Sequence, residues 1–387
     1  MRNPRLRLVI ASIAALALVL SLAPASDAQS KGTVKIASQS PLSGGQAVLG
    51  EGIKLGTQLA VEKLKGNLEK MGYKVEFVPF DDQAKPDVGV ANAKNIIADK
   101  DIMAVIGHLN SGVAIPSSEV YKETNLAMIS PANTNPVVTD RNYGNVSRVC
   151  GRDDVQGVVG AEFAHGTLKV KSVYIVHDKT QYGQSIAEFF KADSEKKGVK
   201  VLGFEGTEEK SNFDPLLTPI KAKNPDLIYF GGIYDQGAPF FKQAREKGIK
   251  SKFMGPDGIN CSEFLKQAGP AATETYSTFG GVPPEKYTGK AADWLKNYNA
   301  KFNNNNPNPY AIYGYEAAKV VLAAIAKSGD KADDRATVQT NVMGTKDYDG
   351  VLGKWSFDAG GDTTLTQFSG STAKSGAWAF VKELAAK

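Results

Sequence analysis

The chain has 387 residues, enough for two domains that each bury a core of their own. Lys and Arg number 46 against 41 Asp and Glu, a formal net charge of +5. So small a surplus, with no clustered basic stripe, argues against nucleic acid as a partner.

The first segment, "MRNPRLRLVIASIAALALVLSLAPASDAQS", carries Arg2, Arg5 and Arg7, an apolar run from Leu8 to Ala23, and then Ser26-Asp27-Ala28. This order predicts a secretory signal over residues 1–28, cleaved after Ala28, and an extracytoplasmic or periplasmic location. A membrane anchor is the alternative, but the apolar run falls short of the roughly 20 residues a span needs, and Pro24 follows it. Cys150 is the first cysteine, so no thiol stands near the cut to carry a lipid. Cleavage leaves 43 basic residues against 40 acidic ones. Cys150 and Cys261 are open to two readings, one disulfide or two separate thiols.

From residue 33 the chain alternates strand-like runs with helical patterns. "TVKIASQSP" precedes the amphipathic "EGIKLGTQLAVEKLKG", and "KVEFVPFDD" precedes "VGVANAKNIIADK". "IMAVIGH" leads into "GVAIPSSEVYKET", and "LAMISP" ends the first block. The rhythm restarts after "VCGRDDVQG", with strands "KSVYIVHD", "VKVLGFE", "DLIYFGG" and "SKFMGPDG" separated by helical patterns. Strand-then-helix repetition predicts α/β blocks with parallel strands and helices on both faces. The chain is expected to cross between blocks near Cys150–Gly151. Beyond residue 287 two long helical segments, "TGKAADWLKNYNAKF" and "YAIYGYEAAKVVLAAIAKSG", flank the solvated connector "NNNNPNP". The tail is β-rich, with a Gly-containing turn at Asp358–Asp362.

Open parallel sheets bind ligands at the carboxyl ends of their strands, so the segments after each strand are the candidates. After "AVIG" comes His108-Leu109-Asn110-Ser111-Gly112, and after "AMIS" comes Pro131-Ala132-Asn133-Thr134-Asn135. Hydroxyls beside helix-start amides suit an anion such as a carboxylate; equally, Ser111 caps its helix and Thr134 shapes a turn. Asp257, between Pro256 and Gly258, is either a rigid partner for an ammonium group or a turn residue bonding its own backbone. Together the two ends describe a clamp for a zwitterion. No Gly-x-Ser-x-Gly elbow, His-Glu-x-x-His helix or Walker loop occurs, and no Gly-x-Gly-x-x-Gly follows the first strand. The three histidines lack metal-ligand spacing. No enzyme, cofactor or metal site is expected.

"GHLNSG", "SPANTNP", "GRDDVQG", "VHDKTQYGQS", "QAREKGIKSKFMGPDG" and the opening "SPLSGG…GEGIKLGTQLAV" resemble the leucine/isoleucine/valine-binding proteins of bacterial ABC importers. The resemblance implies the type I periplasmic binding protein fold, with two doubly wound lobes, residues 33–150 plus 282–363 and residues 151–281 plus 364–387, joined by a multi-strand hinge. It implies a monomeric receptor that closes over an amino acid, branched-chain aliphatic by family, and delivers it to permease subunits in the membrane. By position, Ser111, Ala132 and Thr134 would hold the α-carboxylate and help orient the α-amino group, Asp257 would pair with that amino group, and Tyr182 would close over the ligand. Asp153 matches an acidic position near the amino group in related receptors, with a helix N-cap as its other reading. Three positions depart from the family. Leu49 stands where relatives have an aromatic, Asp257 replaces Glu, and around Tyr234 the sequence has Ile233 where an aromatic is expected. Receptors of this fold for a polar amino acid, an amide or an aromatic acid are the alternative, and a cleft enzyme is the remaining one.

Overall fold

The computed structural model describes residues 30–304 and 306–385. The secretory segment expected over 1–28 lies outside the described residues.

The first block runs β1 (Gly32–Ser40), α1 (Ala47–Leu64), β2 (Tyr73–Asp81), α2 (Pro86–Ala98), β3 (Ile102–Gly107), α3 (Ser111–Lys122), β4 (Ala127–Ser130) and β5 (Val146–Arg148). Its five strands are parallel, in the order β2-β1-β3-β4-β5. The second block runs α4 (Asp153–Glu162), continued by a π turn at Phe163–Thr167, then β6 (Ser172–His177), α5 (Gln181–Lys196), β7 (Lys200–Gly206), α6 (Asp214–Lys223) and β8 (Leu227–Gly231). It ends with α7 (Tyr234–Glu246), β9 (Lys252–Gly255), α8 (Ser262–Ala268) and β10 (Thr275–Gly280). The parallel order β7-β6-β8-β9-β10 repeats that of the first block. This doubly wound order puts a crevice at the carboxyl ends of β1 and β3 in one sheet and of β6 and β8 in the other.

The chain then returns. Following α9 (Gly289–Phe302), α10 (Tyr310–Lys327) packs on α1 and β3 of the first block, with α11 (Arg335–Met343) beside it. Gly56 lets α1 and α10 approach closely, since a Cβ there would lie 1.9 Å from the Ala311 carbonyl oxygen. A small pair, β11 (Tyr348–Asp349) and β12 (Lys354–Trp355), precedes β13 (Gln367–Lys374) and β14 (Ala377–Ala385), which extend the second sheet antiparallel from β10. The hairpin turns through Ser375 and Gly376, both at positive φ, as a two-residue I′ turn requires. Three passages between sheets result, after Arg148, after Gly280 and before Gln367. They run side by side, for Gly280 pairs with Phe368, and a Cβ on Gly151 would lie 2.6 Å from the Phe368 ring.

Strand alternation explains the cores. Ile36, Ala104, Ile106 and Ile129 face the layer that holds Leu49, Ile53, Ala317 and Val321. Their neighbours Ala37, Val105 and Met128 point the other way, onto Ala93, Ile96, Ala114 and Tyr121 of α2 and α3. Each Val, Leu, Ile or Met side chain fully buried in this way contributes about 1.5–3 kcal/mol. The strand ends are therefore rigid platforms for the loops they carry.

Candidate ligand-binding cleft

Two loops of the first sheet form one wall. After β3, Asn110 takes the N-cap position and Ser111 is the first helical residue of α3, so Ser111 does not cap its helix. Its hydroxyl instead accepts from the backbone N–H of Asn135, in the loop after β4, at 3.4 Å. Asn133 ties the two loops together, its Oδ1 accepting from the His108 backbone N–H and from Ser130 Oγ, both at 2.8 Å. The Ala132 N–H donates to Ser130 Oγ at 3.3 Å. Thr134 is buried, and its Oγ1 has no hydrogen-bond partner among the described residues.

The second sheet supplies the acidic wall. β9 stops at Gly255, and Pro256 turns the chain into a 3₁₀ turn, Asp257–Ile259, that holds the Asp257 carboxylate in the interior. Gly258 is required there, because a Cβ would meet the Gly232 carbonyl at 2.6 Å. Asp257 Oδ1 accepts from the Tyr182 hydroxyl at 2.7 Å, and Oδ2 accepts from the Tyr310 hydroxyl at 2.5 Å. Tyr182 comes from α5 on the second sheet, whereas Tyr310 opens α10 on the first, so this carboxylate is gripped from both sides of the cleft. Burial pushes its pKa up, opposed by the two phenols.

Asp153 is the first residue of α4, behind an Arg152 N-cap, and makes no side-chain cap. Its backbone N–H donates to the Thr134 carbonyl at 2.8 Å. Neither carboxylate oxygen has a hydrogen-bond partner among the described residues. Burial pushes this carboxyl up to about 7, and neighbouring Asp257 pushes the same way, while the Thr134 and Ser185 hydroxyls, near it though outside hydrogen-bond geometry, and Arg148 oppose it. Thr134, Asp153 and Asp257 are thus brought together, with Tyr182 and Tyr310 around them. What remains between the sheets is a cavity of about 10 Å³, lined by Thr134, Cys150, Gln156, Asp257 and Tyr310 among others. Phe279, Tyr313 and Phe368 close its hinge side, and Gly151, Gly280, Tyr313 and Phe368 also line an adjoining cavity of about 360 Å³.

Leu49 and Tyr234 lie apart from that cavity. Leu49 is fully buried in the first turn of α1. Tyr234 starts α7, and its hydroxyl donates to the Gly45 carbonyl of the other sheet at 2.5 Å. A second bond spans the sheets where Asn135 Nδ2 donates to the Gln181 carbonyl at 2.7 Å. The two cysteines are free and buried, and burial pushes both thiols up to about 12. They are neutral and unreactive over the ordinary pH range.

Tyr310 and Gln181 were not singled out by the sequence, and Asn135 entered only as the end of the loop after "AMIS". Tyr310 heads the apolar run of α10 and reads as one more core residue; only its position after "NPNP", at a helix start, sets it apart.

Residues 33–376 match the family model described as periplasmic binding protein. The chain belongs to that family. A Leu/Ile/Val-binding protein homolog 2 of Brucella abortus is 34% identical over 330 residues, covering 85% of this chain and 87% of that one. The branched-chain amino acid transporter substrate-binding protein LivJ of Streptococcus pneumoniae, in complex with isoleucine, superposes with a TM-score of 0.81 at 26% identity, over 90% of this chain and 99% of that one. A benzoate-bound solute-binding protein of an ABC transporter from R. palustris shares the fold at 20% identity and a TM-score of 0.82, over 92% of this chain and 98% of that one. The fold of this periplasmic binding protein is type I, and the family is one of non-enzymatic substrate-binding proteins of ABC transporters.

Proposed function

We propose that this periplasmic binding protein captures an α-amino acid, branched-chain aliphatic by preference, between two lobes and delivers it to the permease subunits of an ABC importer. The lobes are residues 33–150 with 282–363 and residues 151–281 with 364–387, and the working form is an extracytoplasmic monomer. The observation that carries this reading is that Thr134 and Asp257 line one buried cavity between the sheets, with buried Asp153 bonded through its backbone to Thr134 and near enough to Asp257 to feel its charge. A zwitterion fits such a site, because each of its charges must be paired once water is removed. Its ammonium group goes to Asp257 and Asp153. Its carboxylate goes to Ser111, Thr134 and the first-turn amides of α3, with Ala132 beside them, where the positive helix end favours an anion. Tyr182 closes over it, while Leu49 stays in the core behind the first sheet's loops and Tyr234 bridges the lobes beyond the cavity. The Brucella protein is named for leucine, isoleucine and valine, and the Streptococcus protein for branched-chain amino acids, with isoleucine bound.

The present cavity of about 10 Å³ holds little more than one water, so an amino acid enters only when the lobes part at the hinge. Tyr234→Phe removes one hydrogen bond that holds them together. It should weaken affinity about threefold to tenfold, chiefly through faster ligand release, with an unchanged thermal midpoint; stopped-flow dissociation against equilibrium titration checks this.

The reading itself is tested by calorimetric titration of refolded, ligand-stripped protein with leucine, isoleucine, valine and a panel of other amino acids. One-to-one binding of the aliphatic set at micromolar affinity or better, about −8 kcal/mol, is expected, and Ser111→Ala and Thr134→Ala should each weaken it about tenfold. Unchanged affinity in both variants would remove the carboxylate end of the site. A second reading, a ligand with a larger or aromatic side chain, is favoured by the adjoining cavity of about 360 Å³ behind Tyr313 and Phe368. The same panel, extended to amides and aromatic acids, separates the two.

A further inference from the structure

The loop Pro131–Pro136 carries a buried hydroxyl without a partner, so something else must hold its backbone. The holder is Arg148 at the end of β5, with no solvent exposure. Its Nη1 donates to the Asn133 carbonyl at 2.8 Å and the Asn135 carbonyl at 3.0 Å, the residues on either side of Thr134. Its Nη2 donates to the Pro136 carbonyl at 3.4 Å and to Thr139 Oγ1. One planar guanidinium thus holds three carbonyls around Thr134 at once, which a flexible ammonium group could not do.

A cation buried this deeply needs a counter-ion. It comes from the far end of the chain, where Asp362 Oδ1 lies 2.6 Å from Arg148 Nε and accepts from Thr139 Oγ1 at 2.8 Å. The Gly361 carbonyl also accepts the Arg148 backbone N–H at 2.9 Å, docking the Asp358–Asp362 turn on β5. The other oxygen, Asp362 Oδ2, accepts from Arg152 Nη1 at 2.7 Å. Arg152 precedes Asp153 and reaches Asp140 at 2.8 Å and Asp154 at 2.9 Å. Asp362 therefore stands between two arginines, one holding the loop of Thr134, the other at the N-cap of the helix that begins with Asp153.

We propose that Asp362 is a positioning residue for ligand binding, setting Thr134 and Asp153 in register through Arg148 and Arg152. The proposal rests on the reading of Thr134 and Asp153 as ligand-binding residues. It makes a segment just ahead of the third inter-sheet passage part of the binding machinery, although Asp362 does not line the cavity of Thr134 and Asp257.

Asp362→Asn keeps the shape and removes the charge. Two measurements on the full chain decide the matter, with L-leucine as probe. Amide hydrogen exchange of the ligand-free protein should speed up at least tenfold across 131–137 while α1 is unchanged. In calorimetric titration, Asp362→Asn and Thr134→Ala should each weaken leucine binding about tenfold, and the double variant should fall clearly short of the product of the two losses, because part of the Asp362 effect passes through the Thr134 hydroxyl. Losses that multiply to about a hundredfold, or unaltered exchange across 131–137, overturn the proposal. If Thr134→Ala binds leucine as the unmodified protein does, or neither binds it, the reading of the cleft falls and the exchange result alone decides whether Asp362 orders the loop. Should Asp362→Asn fail to fold, Arg152→Gln, at a partly exposed position, is measured instead: faster amide exchange at 153–156 together with weaker leucine binding is expected, and unaltered values of both overturn the proposal.

Discussion

Asp257→Asn is expected to weaken amino acid binding by at least a hundredfold while leaving the fold intact. Breaking a buried ion pair by removing one partner costs about 3–5 kcal/mol, because the remaining charge stays out of water without compensation. Here the charge left behind is the ligand's ammonium group, in a cleft whose nearest hydroxyls, on Tyr182 and Tyr310, are both directed at residue 257. The asparagine amide nitrogen cannot accept a hydrogen bond, so one of those phenols would have to turn its hydroxyl and become the acceptor. The fold should tolerate the change, since burial already disfavours the ionised carboxylate. Calorimetry with leucine, alongside a thermal melt, checks both halves. A dissociation constant within threefold of the unmodified protein's would take Asp257 out of the site.

The second large effect is on pH. Burial holds the Asp153 carboxyl up at about 7, and Asp257 is displaced in the same direction. An incoming ammonium group favours the ionised form, so below pH 7 binding expels a proton. Affinity should fall by up to tenfold per pH unit, about a hundredfold from pH 8 to pH 5. Above pH 7 it should level off. Titrations in buffers of different ionisation heat should show close to one proton released at pH 6 and almost none at pH 8.5, and Asp153→Asn should flatten the profile. A flat profile in the unmodified protein would separate Asp153 from the ligand. Ligand-free stability runs the opposite way. A carboxyl raised above its unfolded value lets the folded state take up the proton first, so its contribution is fully present below about pH 4 and is lost as the pH rises through 7.

Much of the architecture was legible because its signals are local. Buried strands such as "LIYFG" and the amphipathic α1 follow from apolar runs and helical spacing, and their alternation points to parallel sheets. The start of α4 was less so. Its first turn, "DDVQ", has no apolar periodicity, and Asp153 was open to reading as the N-cap although it is the first helical residue behind Arg152. The short helices α8 and α11 lack enough turns to show a period. The antiparallel continuation of the second sheet depends on where the tail returns in space, which no local pattern encodes. In the cleft, loops that follow strands could be picked out because strand ends define the crevice. Tyr310 could not, since its hydroxyl finds Asp257 across 53 positions of sequence. Arg148 and Asp362 were hidden for the same reason. A buried arginine in a three-residue strand looks like a surface charge until its partner, more than two hundred residues away, is seen beside it.

The grip of Tyr182 and Tyr310 on Asp257 bears on unloading. With both phenols in place, the carboxylate is already satisfied when no cargo is present. On the proposed reading, an ammonium group arriving there exchanges with a hydroxyl and does not fill an orphaned charge, and its departure restores the earlier bonds. The net gain at that end of the cargo is then a difference between two partners of similar reach. A carrier built this way keeps the selectivity of a buried acid while surrendering its load without leaving Asp257 bare.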